Sequence, residues 1–303
     1  MRRNIRFMSR GVRCAGWLYV PDNLPANRKA PTIVMAHGFS GVKEAFLPNF
    51  AERFVEAGFV TMLFDYRYLG ESEGEPRCQI IWYEQIEDFR NAISWISEQP
   101  EVDANRIGIW GTSYSGAHVL FVGAYDRRVK AVVSQVQGGI DFWDILYHVQ
   151  GSEALNQFYD FMAQGRIARY KSDTVNYIKV IAPPGEPQAL GDAESYEFFE
   201  NVASKIAPNW KNQVTIESLE KMLEYNVSVV LPRIAPTPVL MVLAEKDTLI
   251  PIDMAKQGYE RLREPKGICL VDCGHFDLYY REPWFSQASG AATDWFKKYL
   301  GSV

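Results

Sequence analysis

The chain has 303 residues, 47% of them hydrophobic, so it can bury a large core, either as one α/β domain with an insertion or as two domains. Lys and Arg together number 32 against 37 Asp and Glu, a net charge of -5, and this balance argues against a nucleic-acid partner. The apolar stretches fall far below the roughly 20 residues that span a bilayer, and arginines interrupt any N-terminal signal sequence. We therefore expect a soluble, cytoplasmic protein with no membrane partner.

The four cysteines indicate neither a disulfide framework nor a zinc site. They lie far apart or in a C-x3-C pair that fits neither zinc nor redox spacing. We expect all of them to be reduced thiols: Cys14, Cys78, Cys269 and Cys273.

The N-terminal segment predicts a β-hairpin that turns near Ser9-Arg10-Gly11. After it, short apolar runs alternate with amphipathic segments, the pattern of βαβ units that build a parallel sheet. The predicted strands are nearly continuously apolar, as strands covered on both faces should be: Thr32 to Ala36, Val60 to Asp65, Arg106 to Trp110, Lys130 to Gln135, Pro238 to Ala244 and Gly267 to Asp272. The predicted helices are Leu47 to Ala57, Tyr83 to Gln99, Ser115 to Tyr125, Asp253 to Arg263 and Phe285 to Tyr299, with Gly58 and Gly301 ending two of them.

The alternation breaks between residues 140 and 232, which are polar, helix-prone and rich in aromatic residues. The strand pattern resumes after the proline-spaced linker LPRIAPTP. The sequence therefore predicts a helical cap at 140–232, inserted between a first part of the core at 1–139 and a second part at 233–303. We expect the cap to enclose an apolar pocket in which Trp143 and His148 bind substrate. The alternative is that its aromatic residues form only the cap's own core.

Two serines compete as a catalytic nucleophile. Ser72 lies in GESEG at 70–74, a literal G-x-S-x-G, but the flanking glutamates would oppose a developing oxyanion and no helix follows. Ser113 lies in RIGIWGTSYSGAHVLF, where a buried strand, small neighbours and an immediate helix satisfy the needs of a nucleophile elbow. Ser115 occupies the fifth position of this motif, where glycine is usual. We expect Ser113 to be the nucleophile and Ser72 a loop residue; the alternative for Ser113 is a tight turn without chemistry.

A serine hydroxyl needs a base that removes its proton, and the sequence offers four histidines. His37 ends an early strand and is expected to orient a loop. His118 lies one turn into the helix after the elbow, where packing or hydrogen bonding is expected, and His148 falls in the predicted cap. His275 directly follows the last strand, on a loop made mobile by Gly274, and is the expected base.

The carboxylate that orients the base is expected after a strand that lies between the nucleophile and His275 in the chain. In VLMVLAEKDTLIP, Asp247 stands on the loop that follows the strand. Glu245 and Asp272 are the alternatives, and Asp247 could instead only cap its own loop.

An oxyanion hole requires backbone N–H groups aimed at the developing negative charge. HGFSG, residues 37–41, follows a central strand and has two glycines that allow close backbone approach. The expected donors are the amide of Phe39 and the amide of Tyr114, the residue after the nucleophile.

Five segments in this order, MAHGFSG, DYRYLGESEG, GTSYSG, LAEKDTLIP and CGHFDLYY, resemble the α/β-hydrolase superfamily. The resemblance is closest to its dienelactone-hydrolase-like and prolyl-peptidase-like branch, and the fungal polyketide transferases are similar. It covers most of residues 5–140 and 233–300. It implies an eight-stranded, mostly parallel sheet that begins with the N-terminal hairpin, helices on both faces, and structural roles for Asp65 and Arg67 near the site.

Ser113 separates this chain from dienelactone hydrolases, which use a cysteine, and from dehalogenases, which use an aspartate. The leading hypothesis is a serine hydrolase that cleaves a carboxylic ester of a small or medium hydrophobic substrate, without a metal or organic cofactor. Acyl transfer and cleavage of a thioester or amide use the same residues and stay open. A non-catalytic binding protein on this fold is the hypothesis of another class, and exposed cap aromatics are compatible with a homodimer.

Overall fold

The structure, a computed structural model, describes residues 1–301. Ten strands are present among these residues: β1 (Arg2–Ser9), β2 (Val12–Tyr19), β3 (Ala30–Ala36), β4 (Val60–Phe64), β5 (Val102–Thr112), β6 (Val129–Gln135), β7 (Tyr177–Ile178), β8 (Val214–Thr215), β9 (Val239–Ala244) and β10 (Lys266–Val271). Eight of them form one sheet in the order β1-β2-β4-β3-β5-β6-β9-β10. The two-residue strands β7 and β8 pair with each other elsewhere.

The main sheet is antiparallel at one side and parallel through the rest. β1 pairs antiparallel with β2, and β2 pairs antiparallel with β4. All pairings from β4 to β10 are parallel. The predicted hairpin is confirmed: Arg10 and Gly11 take the positive φ angles of 47° and 86° that a tight turn between twisted strands requires.

Helices cover both faces of the sheet. The helices are α1 (Leu47–Glu56), α2 (Trp82–Ser97), α3 (Tyr114–Tyr125), α4 (Phe142–Ser172), α5 (Ala193–Tyr196), α6 (Ser204–Ile206), α7 (Ile216–Leu223), α8 (Ile252–Arg261), α9 (Asp277–Tyr280) and α10 (Trp284–Leu300), with a π-helix at Glu197–Ala203 and a 3-10 helix at Ser228–Arg233. A Cβ on Gly108 would meet Phe296 of α10, whereas one on Gly111 would meet Ser115 of α3. Because these glycines lie three residues apart on β5, they face opposite sides.

The segment between β6 and β9 consists mostly of helices. Its longest element, α4, is interrupted at Gly151, whose φ of 82° and ψ of 176° are not helical. A small cluster of Leu155, Met162 and Leu223 forms a core of its own. The rings of Phe198 and Phe199, by contrast, belong to the main hydrophobic core, so this segment is packed firmly on the sheet domain.

Every strand and helix predicted from the sequence is present, with bounds shifted by up to four residues. The largest difference is β5, which begins at Val102, because Asp103, Ala104 and Asn105 extend the strand ahead of its apolar run. The expectation that all strands are covered on both faces is wrong for β10. This strand lies at the sheet edge and is half-buried, with Leu270 40% exposed.

The topology brings four loops together. β3, β5, β9 and β10 run parallel, so their carboxyl ends meet at one edge of the sheet. The loops that follow these strands carry Phe39, Ser113, Asp247 and His275 respectively.

Candidate active site

Ser113 stands at a sharp turn between β5 and α3. Its backbone has φ 54° and ψ −122°, a sparsely populated conformation for a residue with a side chain. The turn is possible because Gly111 has no Cβ, which would lie 2.2 Å from the carbonyl oxygen of Ser115. The Ser113 amide donates to the Gln135 carbonyl of β6 at 2.8 Å, so the sheet fixes the position of the turn.

Ser115 takes the place of the usual glycine without crowding the elbow. Its hydroxyl is fully buried and lies 2.5 Å from the phenol oxygen of Tyr66. The serine thus gains a hydrogen bond that links the first turn of α3 to the loop after β4.

The structure brings Ser113, His275 and Asp247 into one chain of hydrogen bonds. The distance from His275 Nε2 to Ser113 Oγ is 3.1 Å, and that from His275 Nδ1 to Asp247 Oδ2 is 2.7 Å. The other carboxylate oxygen of Asp247 accepts the amides of Leu249 and Ile250, both at 2.8 Å. Asp247 is therefore held in place by its own loop while it faces the imidazole.

Two opposing effects set the protonation of His275, which is completely buried. Burial is the largest effect and lowers the pKa of this histidine, but the charge and hydrogen bond of Asp247, together with the charges of Glu194 and Asp192, raise it above the ordinary value of 6.5. A histidine that takes a proton from serine becomes an imidazolium, and an adjacent carboxylate stabilises this buried charge.

The predicted oxyanion donors lie beside Ser113. A Cβ on Gly38 would be 2.9 Å from the Ser113 Cβ, so the backbone that leads to Phe39 passes directly against the serine. Within residues 1–301, the amides of Phe39 and Tyr114 donate no hydrogen bond to another protein group. Both are therefore available to a ligand oxygen.

Ser72, the serine of GESEG, is a structural residue. Its hydroxyl donates to the Asp65 carbonyl at 2.6 Å and accepts the Ala15 amide at 2.8 Å. The residue is 2% exposed. Because both hydrogen-bonding directions are used and the side chain is buried, Ser72 ties the loop after β4 to strand β2.

Two further histidines are buried in neutral form. Burial lowers the pKa of His37, whose Nδ1 lies 3.0 Å from the Gly38 carbonyl. Burial also lowers the pKa of His118 to about 3. Its ring nitrogens contact Gln85 and Tyr225 at 2.9 and 3.2 Å. Hydrogen bonding by His118, predicted from its place in the helix, is confirmed.

Three carboxylates near the loop of residues 37–44 lie close enough to share a cation: those of Glu44, Asp65 and Glu71. The Lys43 ammonium lies among them, at 3.0, 2.8 and 2.6 Å respectively. Burial opposes its charge, but the carboxylates, Asp65 above all, raise the pKa of Lys43 well above its usual range. The Lys43 amide also donates to Asp65 at 2.7 Å. An ammonium thus serves as the cation here and anchors the loop that carries Phe39.

An apolar cavity opens beside Ser113. Three of the residues that line it come from the segment between β6 and β9: Leu190, Phe198 and Phe199. The other lining residues belong to the sheet domain: His37, Gly38, Phe39, Gly41, Val42, Ala45, Leu47, Leu249, Phe276 and Tyr279. The expected substrate-binding residues Trp143 and His148 are not among these lining residues. Trp143 stacks on Tyr147 and donates to Tyr159, and His148 is exposed.

The described residues include no helix that is long and apolar enough to cross a bilayer.

The parallel sheet, the strand-to-helix turn at Ser113 and the loops that meet at the carboxyl edge define an α/β-hydrolase fold. The chain matches the model of the X-Pro dipeptidyl-peptidase (S15 family) over residues 10–277, and it belongs to this family of hydrolases.

Relatives cover almost the whole chain. An uncharacterized 31.7 kDa protein from the traX-finO intergenic region of Escherichia coli is 34% identical, over 90% of this chain and 93% of its own. Thiohydrolase aneE of Aspergillus aculeatus is 30% identical, over 84% and 80%. The crystal structure of the α/β-hydrolase GrgF from Penicillium sp. sh18 has a TM-score of 0.84 at 26% identity, covering 99% of both chains; the Penicillium relative grgF is named a polyketide transferase.

Proposed function

We propose that this protein is a serine hydrolase that cleaves carboxylic esters of small or medium hydrophobic substrates through an acyl-enzyme. One observation carries the proposal: the hydrogen-bonded chain from Ser113 through His275 to Asp247 at the mouth of an apolar cavity. A serine hydroxyl becomes a useful nucleophile when a neutral imidazole can take its proton.

In the first half of the reaction, Ser113 Oγ attacks the ester carbonyl carbon while its proton passes to His275 Nε2. The carbonyl oxygen becomes an oxyanion that accepts the Phe39 and Tyr114 amides, a contribution of about 3 kcal/mol for each donor. Asp247 stabilises the imidazolium. The tetrahedral intermediate then expels the alcohol oxygen, which leaves with the proton from His275.

In the second half, water attacks the acyl-enzyme. His275 removes a proton from the water as the oxygen bonds to the acyl carbon, and the same two amides hold the second oxyanion. The bond to Ser113 Oγ breaks, the serine regains its proton from His275, and the carboxylic acid departs.

The cavity favours a small apolar group. The volume of the cavity is about 50 Å³. In the same measure, a cavity needs roughly 10 to 15 Å³ to hold one water molecule. This is room for a short acyl chain rather than for a polypeptide. The walls are aliphatic and aromatic side chains, which bind such a chain by excluding water from it.

The same walls argue against dipeptide release from an unblocked peptide N-terminus. A buried ammonium group needs a charged or hydrogen-bonding partner. The described residues that line the cavity include no carboxylate. We therefore favour an uncharged acyl group over the dipeptide that the family's description names.

Thioester cleavage or acyl transfer is the second candidate. Relatives named thiohydrolase and polyketide transferase align with most of this chain. Both reactions begin from the same acyl-enzyme, and they differ only in the leaving group or in whether an alcohol or amine replaces water.

The proposal is tested by intact mass after treatment with a fluorophosphonate, followed by peptide mapping and kinetics with p-nitrophenyl esters and matching thioesters. We expect one adduct, on Ser113, and turnover of short-chain esters. A serine that is labelled without turnover of any ester would favour transfer, and an unlabelled protein would favour the non-catalytic hypothesis.

Replacement of Phe198 by alanine should change the preferred acyl length. Phe198 is buried, stacks on Phe276 at 4.2 Å and lines the cavity. Without its ring, two more methylenes fit, each contributing about 0.8 kcal/mol, so the ratio of kcat/KM for hexanoyl over butyryl ester should rise about tenfold. The control is Phe158→Ala, which removes a ring of the same segment that packs on both hydrophobic clusters but does not line the cavity, and it should leave the ratio unchanged. An unchanged ratio in Phe198→Ala would show that acyl chains bind elsewhere.

A further inference from the structure

Glu194 links the segment between β6 and β9 to the two loops that carry the proposed acid and base. It lies in α5, and its Oε1 accepts the Phe276 amide at 3.0 Å. Its Oε2 accepts the hydroxyl of Thr248, also at 3.0 Å. One carboxylate therefore accepts hydrogen bonds from two loops, one after β9 and one after β10.

The two partners stand directly next to the proposed catalytic groups in the chain. Phe276 follows His275, and Thr248 follows Asp247. The hydrogen bond between His275 and Asp247 requires these loops to keep a fixed separation, and an error of about 1 Å in such a geometry is costly to a reaction rate. A carboxylate that accepts hydrogen bonds from both loops at once sets this separation.

The His275 loop is shaped to admit this carboxylate. A Cβ on Gly274 would lie 2.5 Å from Glu194 Oε1, closer than any real side chain approaches. Glycine at this position therefore allows the carboxylate to approach the loop closely. On the other side, Asp192 accepts the Ser195 amide at 2.7 Å and fixes the start of α5.

We propose that Glu194 is a positioning residue that holds the Asp247 and His275 loops in register and assists the imidazolium electrostatically. The inference rests on the proposed function of Ser113. The charges of Asp247, Glu194 and Asp192 all raise the pKa of His275 against the effect of burial. Glu194 thus acts on geometry and charge together.

The test compares Glu194→Gln and Glu194→Asp with Glu200→Gln, an exposed glutamate of the same segment whose side chain has no hydrogen-bond or ion-pair partner within residues 1–301. The readouts are kcat and KM for p-nitrophenyl butyrate across pH, and the rate at which a fluorophosphonate modifies Ser113. For Glu194→Gln we expect kcat to fall about tenfold or more with KM nearly unchanged. Its acidic limb should move to lower pH, because a negative charge beside the imidazolium is lost.

Glu194→Asp separates the two effects. It keeps the charge, but its side chain is one methylene too short to reach both loops, so kcat should fall while the acidic limb moves less than in Glu194→Gln. Glu200→Gln should match the wild type. A Glu194→Gln variant that matches Glu200→Gln in kcat and in pH profile would overturn the inference. Failure of the proposed function is distinct, because the wild type itself would then remain unlabelled or, if labelled, would turn over no ester.

Discussion

Ser113→Ala should abolish fluorophosphonate labelling and reduce kcat for ester hydrolysis by about 10⁶, the order of loss when a serine hydrolase loses its nucleophile. The reason is chemical, because alanine has no hydroxyl to form the acyl-enzyme. The fold should persist, since the substitution removes one oxygen atom and leaves the Ser113 backbone bond to Gln135 intact. The measurement is intact mass after labelling, together with initial rates on p-nitrophenyl butyrate.

Ser72→Ala is the matched control for this experiment. It also removes one hydroxyl, but this hydroxyl is buried and bonded to Asp65 and Ala15. We expect labelling and turnover to persist, with stability lowered by about 1 to 3 kcal/mol because the Ala15 amide loses its partner. Labelling that survives in Ser113→Ala and disappears in Ser72→Ala would reverse the assignment.

Asp247→Asn should reduce kcat by about 10⁴. The asparagine oxygen can still accept the Leu249 and Ile250 amides that Asp247 Oδ1 accepts, which turns the NH2 group toward His275 Nδ1. Since that nitrogen must then accept a hydrogen bond, the ring proton moves to Nε2, and His275 can no longer take the proton of Ser113. The loop should stay folded while the base is held in the wrong tautomer.

The pH profile gives an independent check of the same variant. Wild-type kcat/KM should rise with pH as His275 loses its proton, at a pH above the ordinary value because its folded pKa is raised. Removal of the Asp247 charge lowers that pKa, so the residual activity should have its acidic limb at lower pH.

Asp272→Asn is the control for Asp247→Asn. Asp272 was an alternative from the sequence, but its side chain is 70% exposed and pairs with Lys246 at 2.8 Å. Its substitution should leave the rate and the pH profile intact. A large loss in Asp272→Asn, with little effect in Asp247→Asn, would mean that the acid is assigned to the wrong loop.

The fold could be predicted from the sequence because buried parallel strands leave a strong local signal. The apolar runs of β3 to β6 and β9 are covered on both faces, and their composition reports this directly. β10 gave the same signal although it lies at the edge, since composition does not reveal which strand lacks a neighbour. The start of β5 was missed because only Val102 pairs with β3 there, and the register shifts before Ile107, so the residues between them leave no apolar strand pattern.

The polar residues of the site were also predictable, because each follows a strand at the edge where parallel strands end. The cavity was not. Trp143 was expected to bind substrate, yet its ring contacts Tyr147 and Tyr159, while Phe198 stacks on Phe276. Which aromatic ring of a helical segment faces the sheet depends on how that segment docks, and no short sequence pattern encodes this. Glu194 was missed for the same reason, since its partners lie 54 and 82 residues away in the chain.

The backbone of Ser113 has a consequence for how this protein would respond to selection. A left-handed φ of 54° on a residue with a side chain costs roughly 1 to 3 kcal/mol, and glycine would relieve most of it. Ser113→Gly should therefore melt at a higher temperature than the wild type while losing its turnover, which thermal unfolding can measure. A library screened for heat resistance alone would enrich inactive chains at this position, so heat resistance and turnover must be selected together.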